Sequence, residues 1–139
     1  MLLTALVWLG VCIFLLRVLG QAYVALYRPL ALPPMGEWYS GLVPYGALLA
    51  GQIVLLMVLV VVAYDFTRQS GWFYVTDRTA SGVLSLLGLA YAGAMLVRLG
   101  VRLARYPLRP WYSGRSIPIA LHLVLTTILL VVARYPALA

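Results

Sequence analysis

Residues 42–64 read LVPYGALLAGQIVLLMVLVVVAY, a run of 23 residues without a charged side chain. At about 1.5 Å of rise per residue, a helix of this length crosses the ~30 Å hydrocarbon layer of a bilayer. Gln52 is the one amide side chain in the run, and it lies well away from both ends. The run therefore predicts a transmembrane helix with a polar group at intramembrane depth.

Three further apolar runs share this character, at residues 2–19, 81–97 and 117–133, and polar stretches containing Pro or Gly separate them. Because lipid offers no hydrogen-bond partners, a spanning backbone must form helices or a closed barrel. The alternating segments of about ten residues that are typical of a barrel are not present. We therefore predict an all-α integral membrane protein, a bundle of four transmembrane helices in one membrane domain of residues 1–139.

The composition excludes a soluble protein, since 65% of the 139 residues are hydrophobic and 9% are charged. All ten basic residues are arginine, against three acidic residues, one histidine and one cysteine. The arginines are interleaved with apolar spans, which favours anionic lipid headgroups over nucleic acid as a partner. No nucleophile, acid/base or metal-ligand motif is present, so we expect a non-catalytic protein without a metal site.

The arginines also predict an orientation. Three arginines lie on the side of the chain termini and the loop 67–80. The other seven lie at or within the connections 20–41 and 99–116: Arg17, Arg28, Arg98, Arg102, Arg105, Arg109 and Arg115. The positive-inside rule then places these two connections in the cytoplasm and both termini outside, for a chain in the inner membrane of a bacterium. The first span lacks the basic residues that begin a cleaved signal peptide, and it is therefore interpreted as a helix that is retained.

A repeated motif predicts an internal duplication. The sequence WYSGLVP at residues 38–44 recurs as WYSGRSIP at residues 111–118, and RVLG at 17–20 has a counterpart in RLG at 98–100. The chain is therefore interpreted as two tandem helical hairpins, residues 1–66 and 81–139, joined by an outer loop at 67–80. Hairpins duplicated in this way are expected to be related by an axis along the membrane normal.

His122 is the strongest candidate for a ligand-binding residue. With Pro44 aligned to Pro118, His122 corresponds to Leu48, and Thr126 corresponds to Gln52. Ionisable groups inside a membrane are costly and are by default candidates for function. The imidazole is suited to a haem, a chlorophyll-type pigment or a quinone. It is also suited to a plain hydrogen bond with a neighbouring helix. Gln52 and Thr126 are the further intramembrane polar candidates.

A second candidate is a row of arginines, Arg98, Arg102, Arg105 and Arg109, which are spaced by four, three and four residues. This spacing places them on one face if the third helix continues past the membrane boundary until Pro107. Together with Arg115 and Trp111, the row suits anionic headgroups or an acidic partner. The positive-inside rule alone predicts arginines in this region as well, without a binding role for the row.

Three functions fit these features. The first is a non-catalytic accessory or structural subunit of a larger membrane complex, respiratory, photosynthetic or similar, which docks through small-residue helix faces and the arginine-rich cytoplasmic face. The second is an electron-transfer subunit that binds a haem, pigment or quinone through His122. The third is a small oligomeric transporter or channel. The small residues of the second and third helices predict that these two helices form the packing centre.

Overall fold

The computed structural model describes residues 1–39, 41–74, 77–108 and 116–138, with side chains as far as Arg134. Every regular element in these ranges is a helix: α1 Leu2–Tyr27, α2 Met35–Trp38, α3 Tyr45–Arg68, α4 Arg78–Arg105 and α5 Ser116–Leu138. The four longer helices, α1, α3, α4 and α5, are long and apolar enough to span a membrane. For the described residues, this confirms an all-helical chain with four helices of membrane-spanning character.

The helices extend beyond the predicted apolar runs and end where the backbone chemistry requires it. Helix α1 continues past Gly20 and stops where Arg28 adopts the left-handed conformation, with φ of 46°, directly before Pro29. Helix α4 ends at Arg105, and its C-cap residue Tyr106 precedes Pro107, as predicted. Proline lacks an amide hydrogen and disfavours the helical conformation of the residue before it. One consequence is that Arg17 lies well inside α1, ten residues before its last residue, Tyr27.

The packing order of the long helices is α3, α1, α5, α4. Helix α1 contacts α3 and α5, and α5 contacts α1 and α4, whereas α3 and α4 do not contact each other in the part of the chain that the structure describes. The prediction that the second and third spanning helices form the packing centre is therefore wrong. Helices α1 and α5 occupy the centre, and α3 and α4 flank them.

Close approach to α5 explains this order. A Cβ atom added to Gly10 would lie 2.5 Å from Ile128 Cδ1, and one added to Gly88 would lie 2.7 Å from Leu130 Cδ2. Glycine at these two positions lets α1 and α4 pack against α5 on different faces. The buried apolar cluster comes from α1, α3 and α5: Val7, Val11, Phe14, Val18, Leu59, Val62, Ala63, Phe66, Leu121, Ile128 and Val132.

Each predicted hairpin is present as a packed pair, α1 with α3 and α4 with α5. If a two-fold axis related the two hairpins, the contact of α1 with α5 would be repeated as an equal contact of α4 with α3. Only the first of these contacts is formed among the described residues. The hairpins are thus observed, their contacts with each other are asymmetric, and the duplication stays a prediction.

The end of the bundle that carries the N-terminus is closed by hydrogen bonds. Trp8 Nε1 on α1 donates to Thr67 Oγ1 on α3 at 2.9 Å. The Asp65 carboxylate accepts the Phe73 amide hydrogen at 3.1 Å, and Gly71 turns the chain between them with a φ of 109°. The opposite end, where α1 ends and α3 and α5 begin, contains the cavity described next.

Candidate functional site

A cavity of about 440 Å³ lies in the half of the bundle that contains the end of α1, α2, the starts of α3 and α5, and the end of α4. Its volume is within the range of ~300–1,000 Å³ that is usual for small-molecule sites. The wall is mostly apolar, with a few polar groups. The lining residues are Phe14, Arg17, Trp38, Tyr39, Val43, Ala47, Leu48, Gly51, Gln52, Leu55, Arg98, Pro118, Leu121, His122 and Leu125.

Arg17 brings a positive charge into the wall from inside α1. Its Nη1 donates to the side-chain oxygen of Gln21, one helical turn further along, and its Nη2 donates to the Trp38 carbonyl at 2.6 Å. Its buried Nε has no hydrogen-bond partner among the described residues. The guanidinium is thus oriented by two neutral acceptors, and its Nε is the nitrogen that has no acceptor among the described residues.

Two glutamines connect α1 to α3 beside this guanidinium. Gln52 Nε2 donates to Gln21 Oε1 at 3.0 Å, and Gln21 is completely buried. Gln52 is 7% exposed and lines the cavity, and its Oε1 finds no partner in the described ranges. Gln21 Nε2 likewise has none there. A buried polar atom without a partner costs about 1–3 kcal/mol, so the Gln52 oxygen is an acceptor that needs a donor.

Helix α2 closes the end of the cavity through Trp38. The indole Nε1 donates to the Pro33 carbonyl at 2.9 Å, which holds the ring in one orientation. The ring packs against α1 at Gly20, where an added Cβ would lie 2.9 Å from Trp38 Cη2. This contact explains why α1 tolerates a glycine within its helix. It also places the Trp38 carbonyl within reach of Arg17.

His122 lies in the opposite wall, on α5, and is half-buried. Its Nδ1 is 2.5 Å from the Tyr91 hydroxyl on α4, and the two rings meet edge to face with centroids 5.7 Å apart. This bond orients the imidazole and leaves Nε2 for other partners. A hydrogen bond between His122 and a neighbouring helix, one of the two predicted roles, is thus observed, whereas a ligand on it stays a prediction.

The other predicted intramembrane polar residue, Thr126, does not line the cavity. It is buried, and its hydroxyl donates to the His122 carbonyl of its own helix at 2.7 Å. Gln52 and Thr126 therefore do not form a shared polar position around the cavity, although the alignment of the two repeats pairs them. A hydroxyl that donates to a carbonyl of its own helix does not need a ligand as its hydrogen-bond partner.

The described arginines of the predicted row lie in different surroundings. Arg98 lines the cavity, Arg102 is 7% exposed and Arg105 is exposed. Arg109, Trp111 and Arg115 lie outside the described residues. Binding of headgroups or an acidic partner stays a prediction for the whole set: Arg98, Arg102, Arg105, Arg109, Trp111 and Arg115. Arg98 belongs to the cavity.

The cavity carries positive charge without a matching carboxylate. Glu37, Asp65 and Asp77, the three acidic residues of the chain, are all in the described ranges, and none of them lines the cavity. Arg17 and Arg98 both do. Charge in a low-dielectric surrounding acts more strongly than in water, so this cavity favours an anion.

Several pairs of positions that the two repeats align lie in the lining of the cavity. With Pro44 aligned to Pro118, Ala47 corresponds to Leu121, Leu48 to His122 and Gly51 to Leu125, and all six residues line it. Arg17 and Arg98, from the shared RVLG and RLG segments, line it as well.

Two residues of the site are not identified by the sequence analysis, Gln21 and Tyr91. A signal for Gln21 exists, because Arg17 and Gln21 are four residues apart in an apolar stretch and therefore adjacent on a helix. No local pattern connects Tyr91 with His122, 31 residues away.

Comparison of the chain with protein-family models, with curated proteins and with solved structures found no match.

Proposed function

We propose that this chain is a non-catalytic subunit of a larger membrane protein complex, respiratory, photosynthetic or similar. In this proposal it lies in the inner membrane of a bacterium, with the arginine-rich connections in the cytoplasm and both termini outside. The observation that carries the proposal is the exposed face of α4.

Helix α4 is attached to the bundle along one side only. It contacts α5 and no other long helix in the described part of the chain, and Gly88 and Arg102 are its only buried residues. The rest of its surface meets either lipid or another protein. The glycines on this surface favour a helix of another protein over lipid.

Three glycines form a row on the exposed side of α4. An added Cβ at Gly82, Gly93 or Gly100 would meet nothing within 4 Å. At about 100° per residue, their spacings of 11 and 7 residues bring all three within about 20° of one another around the helix. Glycine costs a helix about 1 kcal/mol relative to alanine, a cost that close approach of a second helix would offset. The row therefore fits a helix of another subunit.

Purification from native membranes in a mild detergent tests this proposal. We expect other chains to co-migrate with the tagged protein on a native gel. Gly93→Leu and Gly100→Leu are expected to reduce this co-migration at least tenfold while leaving the helix content unchanged. Gly46→Leu is the matched control, since it places the same side chain in open space on α3. A wild-type protein that migrates alone, or glycine variants that keep all partners, would contradict the proposal.

The orientation has its own test. Ser70 is exposed in the loop after α3, and Cys12 is the one native cysteine. In a Cys12→Ser background, Ser70→Cys should react with a membrane-impermeant maleimide in intact cells. Reaction only after the cytoplasmic face is opened would reverse the proposed orientation.

A second function, electron transfer through a bound quinone or pigment, is favoured by one observation. His122 lines the cavity with its Nδ1 held by Tyr91, which is how an oriented imidazole presents Nε2 to a ligand. Absorption spectra of the purified protein and extraction of bound quinone test it. The absence of both a pigment band and quinone from protein purified out of native membranes would exclude this function.

A further inference from the structure

We infer that the cavity binds one anionic phospholipid whose headgroup carries hydroxyl groups, as phosphatidylglycerol does. The phosphodiester lies between Arg17 and Arg98, a headgroup hydroxyl donates to Gln52 Oε1, and the acyl chains follow the apolar wall. This site goes beyond the proposed subunit role and does not depend on it.

The charge of the cavity requires an anion. Arg17 lies within a spanning helix, and its described acceptors, Gln21 Oε1 and the Trp38 carbonyl, are both neutral. Arg98 adds a second positive charge from α4, and none of the chain's carboxylates is in the lining. An uncompensated guanidinium at membrane depth is expensive, and phosphate oxygens match its fork of donors. A phosphate in the cavity would also accept from the unpartnered Nε of Arg17.

The open acceptor of Gln52 requires a donor as well. Gln52 is 7% exposed and lines the cavity, and its Oε1 has no partner in the described ranges. A phosphate or carboxylate has only acceptors and cannot satisfy it. A headgroup that also carries a hydroxyl can, which selects a polyol phosphodiester over a choline phosphodiester.

The apolar wall requires a hydrocarbon tail. Leu48, Leu55, Leu125 and Phe14 line the same cavity as the polar groups. The described residues of α3 and α4 do not contact each other, so a tail can pass between these helices into the bilayer. A free anion would use the arginines and leave these leucines unoccupied.

Native mass spectrometry of the full chain in detergent tests the site, with lipids added in equal amounts. We expect the wild-type protein to retain one phosphatidylglycerol at least tenfold more than one phosphatidylcholine. Arg98→Gln is expected to remove most of this preference, whereas Arg78→Gln, on an exposed arginine at the other end of the same helix, leaves it unchanged. Gln52→Leu is expected to lower retention of phosphatidylglycerol severalfold and to narrow its lead over phosphatidic acid, which lacks the glycerol headgroup.

Several results would overturn the inference. Equal retention of phosphatidylglycerol and phosphatidylcholine would do so, as would equal effects of Arg98→Gln and Arg78→Gln. Preferential retention of a neutral quinone would assign the cavity to a different ligand, and displacement of the lipid by millimolar inorganic phosphate would show a site for a free anion. Because Arg98 is exposed, Arg98→Gln does not disturb the buried core, and circular dichroism of each variant confirms the fold.

Discussion

Replacement of Gln21 by leucine is expected to destabilise the bundle strongly, because Gln21 connects two other polar groups. It is completely buried, and its side-chain oxygen accepts from both Arg17 and Gln52. A hydrogen bond to a charged group contributes about 1.5–3 kcal/mol, and a neutral bond between helices in a membrane contributes about 0.6–1.7 kcal/mol. Gln21→Leu removes both bonds and leaves Gln52 Nε2 buried without its acceptor. We expect a loss of about 2–5 kcal/mol in the free energy of unfolding.

Reversible unfolding in mixed micelles, followed by circular dichroism, measures this loss. Thr127→Val is the control, because Thr127 is exposed and its hydroxyl bonds only its own helix. The decisive variant is Arg17→Leu/Gln21→Leu/Gln52→Leu, in which no member of the polar group remains. Because this variant leaves the Trp38 carbonyl as the one group of the network that loses its donor, we expect it to be at least about 1 kcal/mol more stable than Gln21→Leu. If the triple variant is as unstable as Gln21→Leu, the loss comes from packing, and the reasoning is refuted.

Three further predictions concern other contacts. Gly88→Leu should weaken the attachment of α4 to α5 by about 1–3 kcal/mol through overpacking against Leu130. We expect faster proteolysis of α4 in this variant, whereas Gly82→Leu should leave the rate of proteolysis unchanged. Equal rates for the two variants would contradict this prediction. Tyr91→Phe should remove the bond to His122 Nδ1 and shift its ¹⁵N resonance by several ppm, and an unchanged spectrum would show that the bond is absent. Asp65→Ala should speed hydrogen exchange at the Phe73 amide at least tenfold, and unchanged exchange would show that the carboxylate does not hold this loop.

The spanning helices are predictable because hydropathy is a local property. A helix in lipid satisfies its own backbone, so an apolar run of sufficient length predicts a spanning helix without reference to its neighbours. The end of α4 at Tyr106 is predictable for the same reason, since Pro107 acts on adjacent residues. The end of α1 is not predictable in this way. Gly20 resembles a stop, yet the helix continues to Tyr27, and the glycine leaves room for the Trp38 ring, with which a larger side chain would collide.

The candidate site is predictable only in part. Gln52 and His122 stand out as polar residues in apolar runs, and both line the cavity. Arg17 was counted as topology charge, although it lies inside a helix with neutral acceptors. Its role depends on Gln21 and on a carbonyl of α2, which is distant in sequence, and charge counting contains no information about either.

The sequence by itself determines that this chain is helical, apolar enough for a membrane and poor in carboxylates, because these properties follow from composition and from periods of a few residues. The tertiary structure alone decides which helices touch. It places α1 and α5 at the centre and keeps α3 and α4 apart, since glycines at positions 10 and 88 permit close approach to α5. That arrangement turns Arg17, Gln52, Arg98 and His122, drawn from four different helices, toward one cavity. Contacts between distant segments depend on side-chain shape across the whole bundle, and no local pattern encodes them.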